Sequence, residues 1–428
     1  MIISPLLLQR SLGLDVPPTK SPAEDISRIF TSSLYHDLDY GIGTNFNAAH
    51  GVTGHAKGVN CLGADEIEGR WIVSGGADGS LLVWDLEREN QIYKIRASTM
   101  VSQKDRSTHG VSSIKFNPHN SSLFSTTSYS ATLSLYTLTP ANPTLLQTYP
   151  LDSHLYTHST SQASTSTATI AVAGSSPHIR LIDPRTTSAS QTLFGHISSV
   201  LSVAWSPSYS SILASGGADG SVRLWDIRFG ATCLGTLDLN RPPQAANRAA
   251  GNAHVGGVNG LLWTSDGRRV VSAGMDGKIR VWGMEDGRNA GVVFPPVVRN
   301  KYQAAFPMVI TGDQCGDDQM LWIGSEEQLV AFDIEDGRML KRVGIPKIEV
   351  KDGIGRITGL IDRKGHGELY TCHAWKDNKG IEGGREGLAR WKSKWLRKDE
   401  KVVVEKTEGQ KLLQDIFEKA TKQQVRFT

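Results

Sequence analysis

Cysteine is scarce: Cys61, Cys233, Cys315 and Cys372 are the only four in 428 residues, far apart and without a CxxC pair. That excludes a disulfide framework and a structural zinc site, and it fits a reducing compartment. No apolar run approaches the roughly 20 residues that cross a bilayer as a helix. Met1 to Leu8 is apolar, but Pro5 interrupts it and no basic residue precedes it. It reads as a short amphipathic or docking segment, not a secretion signal. An excess of one charge is missing too, since 46 Lys+Arg stand against 43 Asp+Glu. Bulk charge therefore implies neither a nucleic-acid coat nor a membrane-surface protein. Also absent are a phosphate-cradling P-loop and an HExxH pair. The carboxylate pairs Asp317-Asp318 and Glu326-Glu327 fall in expected turns, where solvation is the default. No catalytic residue, metal or cofactor is expected, and the chain does not read as an enzyme.

What is plentiful is glycine, 44 residues, which favours many tight turns over long helices. Length alone suggests about three domains at roughly 150 residues each, but internal repetition overrides that division. Gly54-His55 precedes SGGADGSLLVWD (Ser74 to Asp85), and Gly195-His196 precedes SGGADGSVRLWD (Ser215 to Asp226). Ala253-His254 precedes SAGMDGKIRVWG (Ser272 to Gly283), and the His-to-Trp separations are 29, 29 and 28. Each segment alternates apolar residues around an Asp-Gly turn, the pattern of a β-hairpin. These segments resemble WD repeats. The resemblance implies a bracing tetrad in each: His55, Ser74, Asp78 and Trp84; His196, Ser215, Asp219 and Trp225; His254, Ser272, Asp276 and Trp282. A Ser-His-Asp hydrolase reading fails, because the constellation recurs with the repeat and buried indole and imidazole groups need such partners anyway.

Degenerate copies fill the gaps. Ser112 to Thr137 has Ser130 at the turn, Thr169 to Arg185 retains only Asp183, and Met320 to Asp333 ends Phe-Asp. Ile357 to Trp391 is a stretched last unit with an insertion from Lys376 to Gly384. The expectation is an all-β, seven-bladed WD-repeat β-propeller of four-stranded blades, closing without a long open edge. It occupies residues 46–395. The Ser/Thr-rich run Thr157 to Thr169 reads as a loop or edge segment of the third unit.

Two flanks are expected outside the ring. Residues 1–45 read as a helix–loop–helix, with Ser21-Pro22-Ala23-Glu24 as a capping box and Ile26, Ile29 and Phe30 on one face. They either pack on the ring or dock into a partner. Residues 396–428 form a basic tail with an apolar helical stripe at Leu412, Leu413, Ile416 and Phe417. From residue 376 to the end there are 14 basic and 9 acidic residues, which leaves −2 for the rest of the chain. Arg390 to Lys398 interleaves cations with Trp391 and Trp395, as phosphate- and base-binding segments do. The competing reading, a blade strand with solvated lysines, is favoured, and direct DNA binding is not expected.

Ile212 to Arg228 ends in Trp225-Asp226-Ile227-Arg228, a WDxR box, and Asp183-Pro184-Arg185 repeats the Asp-x-Arg spacing without Trp. The box resembles that of WD-repeat receptors of cullin-4 ubiquitin ligases, where the Arg sits on a rim and contacts a triple-propeller adaptor. An exposed rim charge is the plainer alternative. The stretches Glu68 to Glu87 and Ala253 to Trp282, with the long connection Leu234 to Asn252, resemble the Cockayne syndrome group A family of WD-repeat proteins. The basic end and the poorly matching last two units depart from that family. The resemblance implies a nuclear substrate receptor of a cullin-4-type E3 ligase in transcription-coupled nucleotide excision repair. Implied partners are the adaptor, a Cockayne syndrome group B-like remodelling ATPase and stalled RNA polymerase II, with no membrane. Adaptor-binding residues would be Leu7, Leu8, Arg10, Ile26, Ile29, Phe30, Asp183, Arg185, Trp225, Asp226 and Arg228. The alternative is a WD-repeat scaffold of another nuclear complex.

Overall fold

The structure, a computed structural model, describes residues 38–40, 55, 58–87, 92–96, 110–138, 143–162, 169–186, 188–229, 233–239, 252–312, 319–326, 328–344, 354–364, 368–376, 382–383 and 388–393. Both expected terminal helices and the 396–428 tail lie outside these residues. Strand β1 (Leu38–Tyr40) comes first. Sheet I holds β2 (Val59–Ala64), β3 (Trp71–Gly76), β4 (Ser80–Asp85) and β5 (Ile92–Arg96). Sheet II holds β6 (Val111–Asn117), β7 (Asn120–Ser128), β8 (Thr132–Leu138) and β9 (Pro143–Pro150). Sheet III holds β10 (Leu155–Thr160), β11 (Ile170–Gly174), β12 (Ile179–Asp183) and β13 (Ser188–Leu193). Sheet IV holds β14 (Val200–Trp205), β15 (Ile212–Gly217), β16 (Val222–Asp226) and β17 (Cys233–Leu237). A single 3-10 turn, Ile227–Phe229, follows β16.

Sheet V holds β18 (Val258–Trp263), β19 (Arg269–Gly274) and β20 (Ile279–Gly283). Sheet VI holds β21 (Met308–Thr311), β22 (Met320–Ser325), β23 (Gln328–Asp333) and β24 (Met339–Gly344). Sheet VII holds β25 (Ile354–Arg363), β26 (Glu368–Lys376), β27 (Glu382–Gly383) and β28 (Leu388–Ser393). Among the described residues six sheets carry four or more strands and sheet V carries three, so six full blades stand where seven four-stranded blades were expected. After β20 the chain makes only a bridge between Trp282 and Asn289. It then runs through Pro295-Pro296, which lack the N–H groups a fourth ladder needs.

Every sheet is antiparallel, and the first strands pack in succession: β2 on β6, then β10, β14, β18, β21, β25 and back to β2. This is an all-β WD-repeat propeller. Its core is not one centre but a series of wedges between neighbours. Between sheets I and II lie Trp71, Val73, Leu81, Val83, Ile114 and Phe124. Between sheets VII and I lie Ile72, Leu82, Trp84, Tyr370 and Cys372. Alternation along β3 and β4 thus sends successive side chains into opposite wedges, and every residue of both strands is buried. Two buried faces explain why these strands read as continuous apolar runs. The Asp-Gly turns supply positive φ: Gly220 has φ 78°, and a Cβ there would lie 2.3 Å from the carbonyl oxygen of His254. In sheet II the same turn position holds Ala131 at φ 62°.

Three boundaries differ from expectation. Leu38–Tyr40, assigned to the 1–45 flank, pairs with β28 in register Leu38 to Ser393, so the chain's two ends close the ring together. Thr157 and His158 are buried in β10, an axial strand, because a Ser/Thr tract can still form a buried strand when its inward polar groups find partners. Leu234 to Leu237 belong to β17, not to the long connection. Residues 390–393 of the basic run lie in β28, the strand reading of that segment. Removing residues 1–45 is expected to lower the Tm by several degrees more than removing residues 1–34, because only the longer deletion takes β1; thermal unfolding of the two truncations measures this.

Candidate functional site

The tetrads form as hydrogen-bonded chains. In sheet IV the Trp225 indole N–H donates to Ser215 Oγ at 2.8 Å, and Ser215 Oγ lies 2.8 Å from His196 Nε2. His196 Nδ1 is 3.3 Å from Asp219 Oδ2. Sheet V repeats this with Trp282 to Ser272 at 2.9 Å, Ser272 to His254 at 2.8 Å and His254 to Asp276 at 3.0 Å. In sheet I, Trp84 to Ser74 is 3.1 Å and Ser74 to His55 is 2.9 Å, but His55 Nδ1 stands 3.6 Å from Asp78. Ser80 bridges that gap, 2.7 Å from His55 Nδ1 and donating to Asp78 at 2.6 Å. Ser221 does the same beside Asp219. Sequence comparison of His, Ser, Asp and Trp missed this fifth member, although Asp-Gly-Ser occurs in both repeats. In the third repeat Lys278 replaces it, and Arg280 instead contacts His254 Nδ1 and, at 3.0 Å, Asp276.

Burial alone would raise the Asp219 carboxyl, but hydrogen bonds from His196 and Ser221 outweigh it and hold the group below the usual carboxylate range. The same opposition, with His254 as the main donor, holds Asp276 low. These groups are consumed by one another inside the blade, which suits bracing rather than turnover.

A buried histidine outside the tetrads escaped sequence reading. His158 on β10 reaches into sheet II, 2.8 Å from Ser125 Oγ and 3.2 Å from Thr127 Oγ1. Burial, with Lys115 nearby, lowers its pKa to about 3. Burial lowers His373 on β26 to about 4.

At the other end of the sheets, loops after the third strands carry the Asp-x-Arg pairs. Arg228 donates from Nε to Asp226 Oδ1 at 3.0 Å and from Nη2 to Oδ2 at 2.7 Å. Asp226 is buried, while the Arg228 side chain is 66% exposed. The Arg228 hydrogen bonds pull the Asp226 carboxyl below its ordinary range. Arg185 pairs with Asp183 in the same i, i+2 manner at 3.4 and 3.3 Å and is also mostly exposed. Sheet I holds a variant that sequence spacing could not show: Arg70, from the start of β3, forks onto Asp85 at 3.1 and 2.7 Å. The carboxylate thus fixes each guanidinium at the rim; those of Arg228 and Arg185 face solvent, whereas Arg70 lies over the Trp71 ring. Trp225, one of the residues expected to contact the adaptor, has no exposure and braces the blade. Asp226 is nearly as buried and acts by holding Arg228. Leu7, Leu8, Arg10, Ile26, Ile29 and Phe30 lie outside the described residues. Among the described residues there is no metal-binding cluster and no helix long and apolar enough to cross a membrane.

Fold and tetrads define a WD-repeat β-propeller. Residues 47–85, 188–226 and 249–283 match the family model described as WD domain, G-beta repeat. Among curated proteins, the chain is 29% identical over 316 residues to the WD repeat-containing protein ATCSA-1 of Arabidopsis thaliana, covering 57% of this chain and 70% of that one. It is 32% identical over 194 residues to the ribosome biogenesis protein YTM1 of Chaetomium thermophilum, covering 41% of this chain and 38% of that protein. It is 26% identical over 302 residues to ytm1 of Neosartorya fischeri, covering 62% and 60% respectively.

Ser215→Ala should cost roughly 2–4 kcal/mol, because it strips partners from the buried Trp225 N–H and a His196 nitrogen at once; equilibrium denaturation checks this. His158 and His373 give a pH dependence of fixed sign. Both fold neutral with lowered pKa, so the unfolded chain binds more protons once pH falls below the ordinary value of 6.5. Their contribution is complete above that value and is lost progressively as pH drops toward about 4, at up to about 1.4 kcal/mol per unit for each. His158→Gln should flatten the stability profile between pH 6.5 and 4, and an unchanged slope would refute the assignment.

Proposed function

We propose that this chain is the substrate-recognition subunit of a cullin-4-type E3 ubiquitin ligase, acting in the nucleus in transcription-coupled nucleotide excision repair. The observation that carries the reading is Arg228: an exposed guanidinium held by the buried Asp226 at the end of a WDxR unit. Similarity to ATCSA-1 over 316 residues supports it. In this reading Arg228, with Arg185 on the adjoining sheet, contacts the triple-propeller adaptor. The 1–34 segment, with Leu7, Leu8, Arg10, Ile26, Ile29 and Phe30, docks as a helix in an adaptor groove. A Cockayne syndrome group B-like ATPase and stalled RNA polymerase II are the other partners.

The chain supplies position, not a catalytic group. Holding a target beside a ubiquitin-loaded conjugating enzyme raises the effective concentration of target lysine at the thioester. Prearranged guanidinium geometry makes this contact efficient, since Asp226 has already restricted the Arg228 rotamers before docking.

A second reading has its own support in the two YTM1 relatives: a scaffold in ribosome biogenesis, with the Asp-Arg pairs serving only as rim charges. Native affinity purification separates the two by whether the cullin-4 adaptor or ribosome-assembly factors are recovered. With purified adaptor, Arg228→Ala should weaken binding by about 2 kcal/mol, roughly thirtyfold, and adding deletion of residues 1–34 should abolish it. Adaptor that never binds the wild-type chain would defeat the ligase reading.

A further inference from the structure

The end of the ring opposite Arg228 opens into a cleft at the propeller axis. Turns between second and third strands lie at this end, since successive antiparallel strands reverse direction, whereas Arg228 follows a third strand. Asn60, Tyr129, Arg299, Tyr302, Glu326 and Arg356 line the cleft, which encloses about 630 Å³ including its open mouth. The Arg356 guanidinium lies over the Tyr302 ring, 4.0 Å from its centroid. Among the described residues no carboxylate falls within 4.0 Å of that guanidinium. Stacking occupies the face of the group and leaves its in-plane N–H donors suited to an acceptor from outside.

The surroundings narrow what that acceptor is. Arg299, the other cation of the cleft, is already paired with Glu326 at 3.1 Å. Glu326 itself sits at φ 43°, in the left-handed region where a side chain is unfavourable. It is held there by the Ile357 N–H, which donates to its carbonyl oxygen at 3.1 Å, and by the ion pair with Arg299. That conformation belongs to the tight turn joining β22 to β23, whose flanking residues Ser325 and Gln328 pair, and it sets Glu326 at the lip of the cleft. One unneutralised fork between aromatic walls matches one carboxylate. A nucleic-acid strand would need a succession of cations for successive phosphates, which this lining lacks.

We propose that this cleft binds a single aspartate or glutamate side chain presented by an acidic segment of a partner protein. Arg356 makes the paired hydrogen bonds, Tyr302 and Tyr129 form the walls, and the Arg299–Glu326 pair sets the rim. Because the cleft faces away from Arg228, it does not depend on the ligase reading.

Fluorescence anisotropy of labelled hexaglutamate on the full-length chain tests it. Saturable binding is expected, weakened about tenfold by Arg356→Gln and to a smaller degree by Arg356→Lys, which keeps the charge and loses the fork. Tyr302→Ala should also weaken binding, while Arg288→Ala, on a loop at the far end, should not. Thermal unfolding accompanies each variant, and if Arg356→Gln does not fold, Arg356→Lys and Tyr302→Ala carry the test. Binding indifferent to all three cleft variants overturns the proposal. So does loss of binding on replacing Lys394, Arg397 and Lys398 together by Ala with no loss in the cleft variants, which would assign the peptide to the basic tail. Labelled dodecathymidylate that binds through Arg356 while hexaglutamate does not would overturn it in favour of nucleic acid.

Discussion

Two-sided burial of every sheet is the constraint on which this molecule depends. No single sheet has an interior; each buries its faces only because a neighbour stands on either side. Trp71 and Val73 face sheet II while Ile72, between them in sequence, faces sheet VII. Such an arrangement is stable only if it closes, since an unclosed ring would leave one face of the first and last sheets in water. Closure here has two components. One is the wedge of Leu62, Ile72, Trp84, Tyr370 and Cys372, which joins residues distant in sequence. The other is β1, which completes the last sheet from the opposite end of the chain. Burial at about 25 cal/mol per Å² supplies the drive, while the long loop between β1 and β28 sets an entropic cost that grows only slowly with length.

Closing wedges against one another strands polar groups inside, and the tetrads are the answer to that. Each indole N–H and imidazole nitrogen is satisfied in a chain that ends on an Asp anchored to the turn's own backbone, as when Asp219 accepts from the Ser221 N–H at 3.0 Å. The turn, the sheet and the next loop are tied by one network. The set resembles a hydrolase triad, but its serine oxygen is already engaged by both Trp225 and His196, an arrangement suited to bracing the blade.

The three regular repeats were plain in the sequence because spacing and turn chemistry coincide in them, down to Asp78-Gly79, Asp219-Gly220 and Asp276-Gly277. The irregular sheets were legible only in outline. Sheet II builds its turn on Ala131 in a left-handed conformation that no sequence rule proposes for alanine. Sheet V loses a strand where Pro295-Pro296 intervene, and β10 hides in a Ser/Thr tract because its polar groups are matched across a sheet boundary, His158 with Ser125. Of the candidate site, Arg228 and Asp226 could be named from spacing. The fork of Arg70 on Asp85 could not, because 15 residues separate the partners. Nor could the stack of Arg356 on Tyr302, which joins β25 to the connection between β20 and β21.

A ring of this kind has two unlike ends, and here they carry different chemistry. One displays guanidinium groups fixed by buried carboxylates; the other opens a cleft where a guanidinium is fixed by an aromatic ring. The proposed ligase role requires the first end to meet the adaptor. The most direct test is a cryo-EM structure of the full-length chain with the cullin-4 adaptor. The loop after β16 should face the adaptor, with Arg228 buried in the interface and the axial cleft left open. An adaptor seated over the cleft, with Arg228 in solvent, would contradict it.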